Sequence, residues 1–287
     1  MVIKGTLPTP ATRRIGRLPR QLQPDGIRLS YFAAVRGVLA RAKQLVDVLL
    51  VPRLPELVDA AGMVHDAVRS SNYATKVTEV IDGLAKDFFG EFTNKRLADL
   101  ASTYGDRTSQ FQRRELAKQF ANALGIDITV SEPNLVPRLE AWAAQNASLI
   151  RSVNTKYFGE IESRTLEALR TGQRAEDIAD DYAVRYGVSE SRAMLIARDQ
   201  IGKLNGQLNR ARQDALGVKR FTWRSVGDER VRDEHEALDG KVFDWDDPPS
   251  EGEPGEPINC RCFGEPVLSD VYEALGDPPA KPQSGRP

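Results

Sequence analysis

Residues 221–265 read FTWRSVGDERVRDEHEALDGKVFDWDDPPSEGEPGEPINCRCFGE, and this stretch decides the fold of the C-terminal part of the chain. Both cysteines (Cys260, Cys262), one of the two histidines (His235) and two of the three tryptophans (Trp223, Trp245) fall inside it. Residues 220–226 alternate in the manner of a strand, with Phe221 and Trp223 on one face. Gly227–Asp228 predicts a turn, and Asp228 is suited to cap a short helix running to about Leu238. Asp239–Gly240 is a hairpin or turn signal, followed by a short strand at 241–245. The run DDPPSEGEPGEP (246–257) is loop by composition. Residues 258–268 then read as a closing strand interrupted by Gly264 and Pro266. The result is a small α+β module over 219–268.

Side chains two apart on a strand share a face, so Cys260 and Cys262 are expected to project together, with Arg261 opposite. A disulfide between them would close a very tight, strained ring. Two thiolates aimed the same way in a reducing compartment suggest a metal, zinc first. His235 is the natural third ligand. The fourth would come from Asp228, Asp239 or Asp233, or be water. The competing reading is two small buried cysteines packing a β-core, with His235 hydrogen-bonded to staple a loop. An enzymatic reading, a metal-dependent hydrolase or toxin-like nuclease, would use His235, Cys260 and Cys262 around a water-activating metal. Against it stand the lack of an activated serine, a glycine-rich phosphate loop or an HExxH motif in the sequence.

Upstream of the module the pattern is helical. Between Ser189 and Gly217, the residues Met194, Ala197, Ile201, Leu204, Leu208, Ala211 and Ala215 recur at spacings of three and four. They predict a long helix over about 189–216, roughly 40 Å in length. Gly202 and Gly206 would permit close approach of a neighbouring helix. Shorter helices are predicted at 173–186, at 156–170, and from the Ser131–Pro133 cap to about Val153. Further ones are expected at 108–124, 74–100 and 55–70, and from Leu29 to the break at Pro52 and Pro55. His65, in the 55–70 pattern, reads as an ordinary packing or surface residue. Residues 26–218 are therefore a helical region, and the fold class is mainly α: an extended helical N-terminal region followed by a small α+β C-terminal domain.

The ends are different. Residues 1–25 hold four prolines and no usable periodicity, so a disordered basic arm is expected. Its Lys4, Arg13, Arg14, Arg17 and Arg20 have no acid among them before Asp25, which suits DNA or an acidic protein surface. Residues 221–265 carry 13 Asp or Glu against 5 Lys or Arg, so the module is unsuited to grip a polyanion unaided. Residues 269–287 read as a proline-rich tail. No window reaches the 18 or so consecutive apolar residues of a membrane span, so no membrane partner is expected. No apolar stretch follows the N-terminal basic residues, so no secretory signal is expected and the chain is expected to be made in a cytosol.

The order W-(x)4-D-x-x-V-R-x-x-H-x-x-L-D-G-x-V-F, an acidic proline-rich loop with P-G, and C-R-C resembles the phage head morphogenesis domain of Mu F-like minor head proteins. The positions that carry the resemblance are Trp223, Asp228, Val231, Arg232, His235, Leu238, Asp239, Gly240, Val242, Phe243, Pro254, Gly255, Cys260, Arg261 and Cys262. The preceding TGQRAEDIADDYAVRYGVSESRAMLIARDQIGKLNGQ is similar to that family's helical lead-in. The resemblance covers about residues 150–268.

The resemblance implies a minor capsid protein of a tailed phage or prophage, present in few copies at the portal vertex. It would act in head morphogenesis and in DNA packaging or delivery. Implied partners are the portal protein, other capsid or scaffolding proteins, and phage DNA through the basic arm. Its place would be the virion head, and the host bacterial cytoplasm during assembly. Some relatives carry a toxin domain after the C-x-C motif, and the 20 or so residues after Leu268 are too few for one. No catalytic residue is implied. The expected site is one structural zinc on His235, Cys260, Cys262 and Asp228, with Trp223, Arg232, Asp239, Gly240, Gly255 and Arg261 as structural motif positions.

Overall fold

Apolar residues return at every third or fourth position through most of the chain, and long helices follow from that. The computed structural model describes residues 2–4, 18–62, 73–124, 127–129, 132 and 134–274. In order the elements are β1 (Val2–Lys4), α1 (Asp25–Leu45), α2 (Leu54–Gly62), α3 (Tyr73–Glu91), α4 (Asn94–Leu124), β2 (Asp127–Thr129), α5 (Leu135–Arg170) and α6 (Ala175–Ala215). After these come β3 (Arg220–Arg224), α7 (Asp233–Leu238), β4 (Val242–Asp244), β5 (Phe263–Pro266) and α8 (Leu268–Ala274). The chain is mainly α with a small three-stranded antiparallel sheet near its C-terminus, in strand order β4-β3-β5. Among the described residues, no helix is long and apolar enough to cross a membrane.

The chain divides into two compact units. One comprises residues 28–103 and 141–198. Its core is aromatic and aliphatic: Phe88 meets Phe158 edge-on at 5.5 Å, with Val35, Leu39, Ile81, Ile150 and Ile161 buried in the same unit. One buried polar chain there runs from α1 into α5. The Tyr31 hydroxyl donates to Asn146 Oδ1 (2.9 Å), and Asn146 donates in turn to the Trp142 carbonyl.

The second unit comprises residues 1–27, 104–140 and 199–287. Leu116, Phe120 and Leu124 of α4 pack with Leu216, Val218, Val271 and Tyr272. A second cluster joins Phe221, Trp223, Trp245, Cys260 and Cys262. Strand β3 buries Phe221 and Trp223 alternately, as its period of two requires. It pairs Phe221 with Phe243 of β4 and Trp223 with Gly264 of β5. The module over 219–268 is thus part of a larger unit, because its inward face needs α4 and α6 to cover it.

Several boundaries differ from the sequence reading. Helix α5 runs unbroken through 153–156, since Val153, Asn154, Tyr157 and Phe158 continue one buried stripe. Within that stripe Asn154 donates from Nδ2 to the Ile150 carbonyl. Helix α6 likewise passes through Gly187 and Ser189 over 41 residues. A mid-helix glycine costs only about 1 kcal/mol relative to alanine, and Glu176 and Asp177 in the first turn place the real start near Ala175. At its other end Gly217 has φ 77°. There Val218 N–H donates to the Gln213 carbonyl and Gly217 N–H to that of Asp214. This is a Schellman stop. The gap between predicted helices at 101–107 is also helical, inside α4.

The arm and tail are shorter than expected. Residues 2–4 pair antiparallel with 127–129 as β1–β2. Leu18 and Gln21 are buried, and Gln21 Nε2 donates to Gln119 Oε1 (3.2 Å). Residues 5–17, with Arg13, Arg14 and Arg17, lie outside the described residues, as does His65. Helix α8 occupies the start of the segment read as tail, because Val271 and Tyr272 complete the α4 cluster. The remainder, 275–287, lies outside the described residues.

Candidate functional site

Two segments of the C-terminal module meet: α7 and the loop that leads into β5. Helix α7 begins after Arg232 and places His235 on its buried side, 3% exposed. Trp223 of β3 stands edge-on to the imidazole, ring centroids 5.3 Å apart and planes at 79°. Opposite it, Cys260 and Cys262 are buried free thiols. His235 Nδ1 lies 3.5 Å from Cys260 Sγ and 3.5 Å from Cys262 Sγ. The three donor atoms all fall within 4.8 Å of one another.

The cysteines converge by a different route from the one the alternation predicts. β5 begins only at Phe263, so neither thiol is on a strand. Cys260 N–H closes a turn on the Pro257 carbonyl (2.9 Å), and Asn259 takes a left-handed φ of 58°. Asparagine tolerates that conformation better than most residues. The turn brings two backbone N–H groups, from Gly255 and Cys262, onto Cys260 Sγ at 3.4 Å each. Gly255 reaches it because its φ is 96°.

Two arginines tie the segments together. Arg232 Nη2 donates to the Ile258 carbonyl (2.8 Å), and Arg261 Nη2 to Asp228 Oδ1 (2.5 Å). Asp228 also accepts from the Arg230 N–H, and its pKa is lowered chiefly by the hydrogen bond from Arg261, with the Arg230 N–H assisting. It therefore serves an arginine, and the donor group is His235, Cys260 and Cys262 without it. Asp239 Oδ1 accepts the Ser225 N–H (2.8 Å) and fixes the exit of β3. Gly240, with φ 83°, turns the chain into β4.

The electrostatics of the thiols are asymmetric. Hydrogen bonding from Cys262 brings the Cys260 thiol down to about 6, assisted by the two backbone N–H groups and the nearby imidazole, and opposed by burial. Cys262 moves upward, because Cys260 holds its proton and burial disfavours a second charge. A thiolate on Cys260 is thus the easy first ionisation, and a second thiolate in the same site requires a compensating cation.

Beneath the site runs a polar seam that sequence reasoning missed. Asn209 and Gln213 of α6 both donate to the Gly264 carbonyl, at 2.7 and 2.8 Å. Gln112 donates to Asn209 Oδ1, and the Trp245 indole N–H to Gln213 Oε1. Arg212 is buried beside them, bonded to Glu132, Ser109 and Gln112. The signal was present: Asn205, Asn209 and Gln213 recur every fourth residue along the buried face of α6. Gly206, read as a helix-contact residue, instead meets the loop at Pro254 and Gly255.

Residues 159–264 match the family model described as Phage Mu protein F like protein. A Haemophilus influenzae protein of uncharacterised function is 32% identical over 185 residues, which cover 63% of this chain and 41% of that protein. The match thus spans about two-fifths of the relative's length. No solved structure matches the chain. The match of the family model takes in α6, β3, β4, the start of β5 and every donor of the His/Cys cluster, and residues 159–264 are accordingly a Mu F-like phage head morphogenesis domain.

Proposed function

We propose that the protein is a minor head protein of a tailed phage or prophage. In this reading it is present in few copies, docks at the portal vertex and contributes to head assembly and to DNA packaging or delivery. Its partners are the portal protein and other capsid or scaffolding proteins, and its place is the virion head. The observation that carries this is the Mu F-like domain over residues 159–264, built on helices of 36 and 41 residues. Lys4, Arg13, Arg14 and Arg17 provide a cationic segment for phage DNA. Arg20 has another task, since its guanidinium donates to the Ser225 carbonyl.

A structural role fits the size of the His/Cys site. The cavity lined by His235, Cys260, Cys262, Arg230, Arg232 and Arg261 measures about 80 Å³, against roughly 300–1,000 Å³ for sites that enclose small-molecule substrates. The alternative, a metal-dependent nuclease, draws on the arginines beside the three donors, and zinc-dependent nuclease activity abolished in His235→Ala would establish it.

The deciding experiment co-expresses the full chain with its cognate portal, scaffolding and major capsid proteins and isolates proheads by sedimentation. The chain should co-sediment in low copy number with portal-containing particles. Exclusion from proheads, with the chain left folded in the soluble fraction, would overturn the assignment.

A further inference from the structure

We propose that His235 Nδ1, Cys260 Sγ and Cys262 Sγ bind one zinc ion, whose fourth ligand comes from solvent. The site stands whether or not the chain docks at a portal.

The spacing fits the ion. With zinc about 2.3 Å from sulfur and about 2.0 Å from nitrogen in a tetrahedron, sulfur and nitrogen donors must lie about 3.5 Å apart. Both His235 Nδ1 to sulfur distances are 3.5 Å. Two thiolates and an imidazole are a soft set that favours zinc over magnesium or calcium. The surroundings are those of a ligand site. Cys260 Sγ accepts two backbone N–H groups, which stabilise a thiolate at that position. Trp223 stands edge-on to the imidazole and shares a buried cluster with both cysteines. The Arg232–Ile258 and Asp228–Arg261 contacts hold the two donor-bearing segments in register independently of any ion.

The ligand count follows from what the nearby carboxylates already do. Asp228 is engaged by Arg261 and by the Arg230 N–H, and Asp239 by the Ser225 N–H. No carboxylate joins the three-donor group among the described residues. The cavity of about 80 Å³ beside the three donors has room for water. On binding, both sulfurs are held as thiolates and any S–H proton still present goes to the buffer, while the imidazole binds through the Nδ1 lone pair with its proton on Nε2.

The test uses the full chain, purified under reducing conditions from zinc-supplemented cells, with metal measured by mass spectrometry and folding by circular dichroism. Wild type should hold about one zinc per chain and the Cys260→Ser/Cys262→Ser variant well under a tenth of that. Cobalt substitution of the wild-type protein should produce a thiolate-to-cobalt charge-transfer band that zinc displaces, so the site remains testable even where the serine variant misfolds. A metal-free wild type with no cobalt band would overturn the proposal. Zinc retained by the folded double-serine variant would also overturn it.

Discussion

Gly255 crosses Gly206 so closely that a side chain on Gly206 has no room and one on Gly255 would press on the helix backbone. A β-carbon on Gly206 would stand 2.7 Å from the Pro254 carbonyl oxygen, and one on Gly255 would stand 3.3 Å from the Gly206 Cα. Both obstacles are backbone and cannot swing aside. This crossing holds the 246–257 loop against α6 and so delivers the Gly255 N–H to Cys260.

Two glycines of the same helix should consequently respond to alanine with opposite sign. Gly206→Ala gains helix propensity but forces the loop outward, for a net loss of about 1–3 kcal/mol. At Gly187 a β-carbon meets nothing within 4 Å, so Gly187→Ala should stabilise by about 0.5–1 kcal/mol. Urea midpoints of the two variants check this, and a Gly206→Ala protein as stable as wild type would contradict the crossing.

Gly264 should be equally intolerant. A β-carbon there would come 2.6 Å from Trp245 Cη2, and Trp245 is held by Phe221, ring centroids 4.1 Å apart, and by Gln213. Gly264→Ala is expected to cost about 1–3 kcal/mol and to red-shift tryptophan emission. Adding Trp245→Phe should recover part of the loss, so the two changes together would cost less than their sum.

Arg212 is the buried cation whose removal should hurt most. Its side chain is 1% exposed and pairs with Glu132 at 2.9 Å. Burial lowers its pKa while Glu132 counters that effect. Arg212→Met leaves the carboxylate, the Ser109 carbonyl and Gln112 without their donor, for an expected loss of about 3 kcal/mol. Denaturation in urea measures it.

Asp239 offers a test confined to the module. Asp239→Ala strands the buried Ser225 N–H and should cost about 1–3 kcal/mol, whereas Asp239→Asn keeps an acceptor oxygen and should remain within about 0.5 kcal/mol of wild type. Equal stabilities for the two would mean that the Ser225 contact contributes nothing.

Metal removal should act through the same unit. Zinc present at about a thousand times its dissociation constant adds about 4 kcal/mol to whatever folds around it. A strong chelator should therefore lower the thermal midpoint of wild type and leave that of Cys260→Ser/Cys262→Ser unchanged.

Much of the C-terminal module was legible in its own residues. The alternation at Phe221 and Trp223, the turn at Asp239–Gly240 and the rarity of His235, Cys260 and Cys262 mark its strands and its donors. Less legible was everything fixed by distant partners. Asp228 has the composition of a ligand, but Arg261, 33 residues away, claims it. Gly187 and Ser189 imitate a helix boundary, and only the buried stripe on either side carries α6 across them. Leu18 and Gln21 look like part of a polar, proline-broken arm until α4 supplies Gln119 as a partner. Local patterns specify faces, and the neighbour that covers a face is chosen elsewhere in the chain.

The paired amides of Asn209 and Gln213 have a consequence for how β5 can be assembled. Both converge on the single carbonyl of Gly264, so α6 recognises one particular peptide group of the strand. A strand slid by one residue would present its neighbours' carbonyls on the opposite face and strand two buried amides. An equivalent strand lent by a second chain would have to arrive in that same frame. Such a lock favours the chain's own edge over a borrowed one.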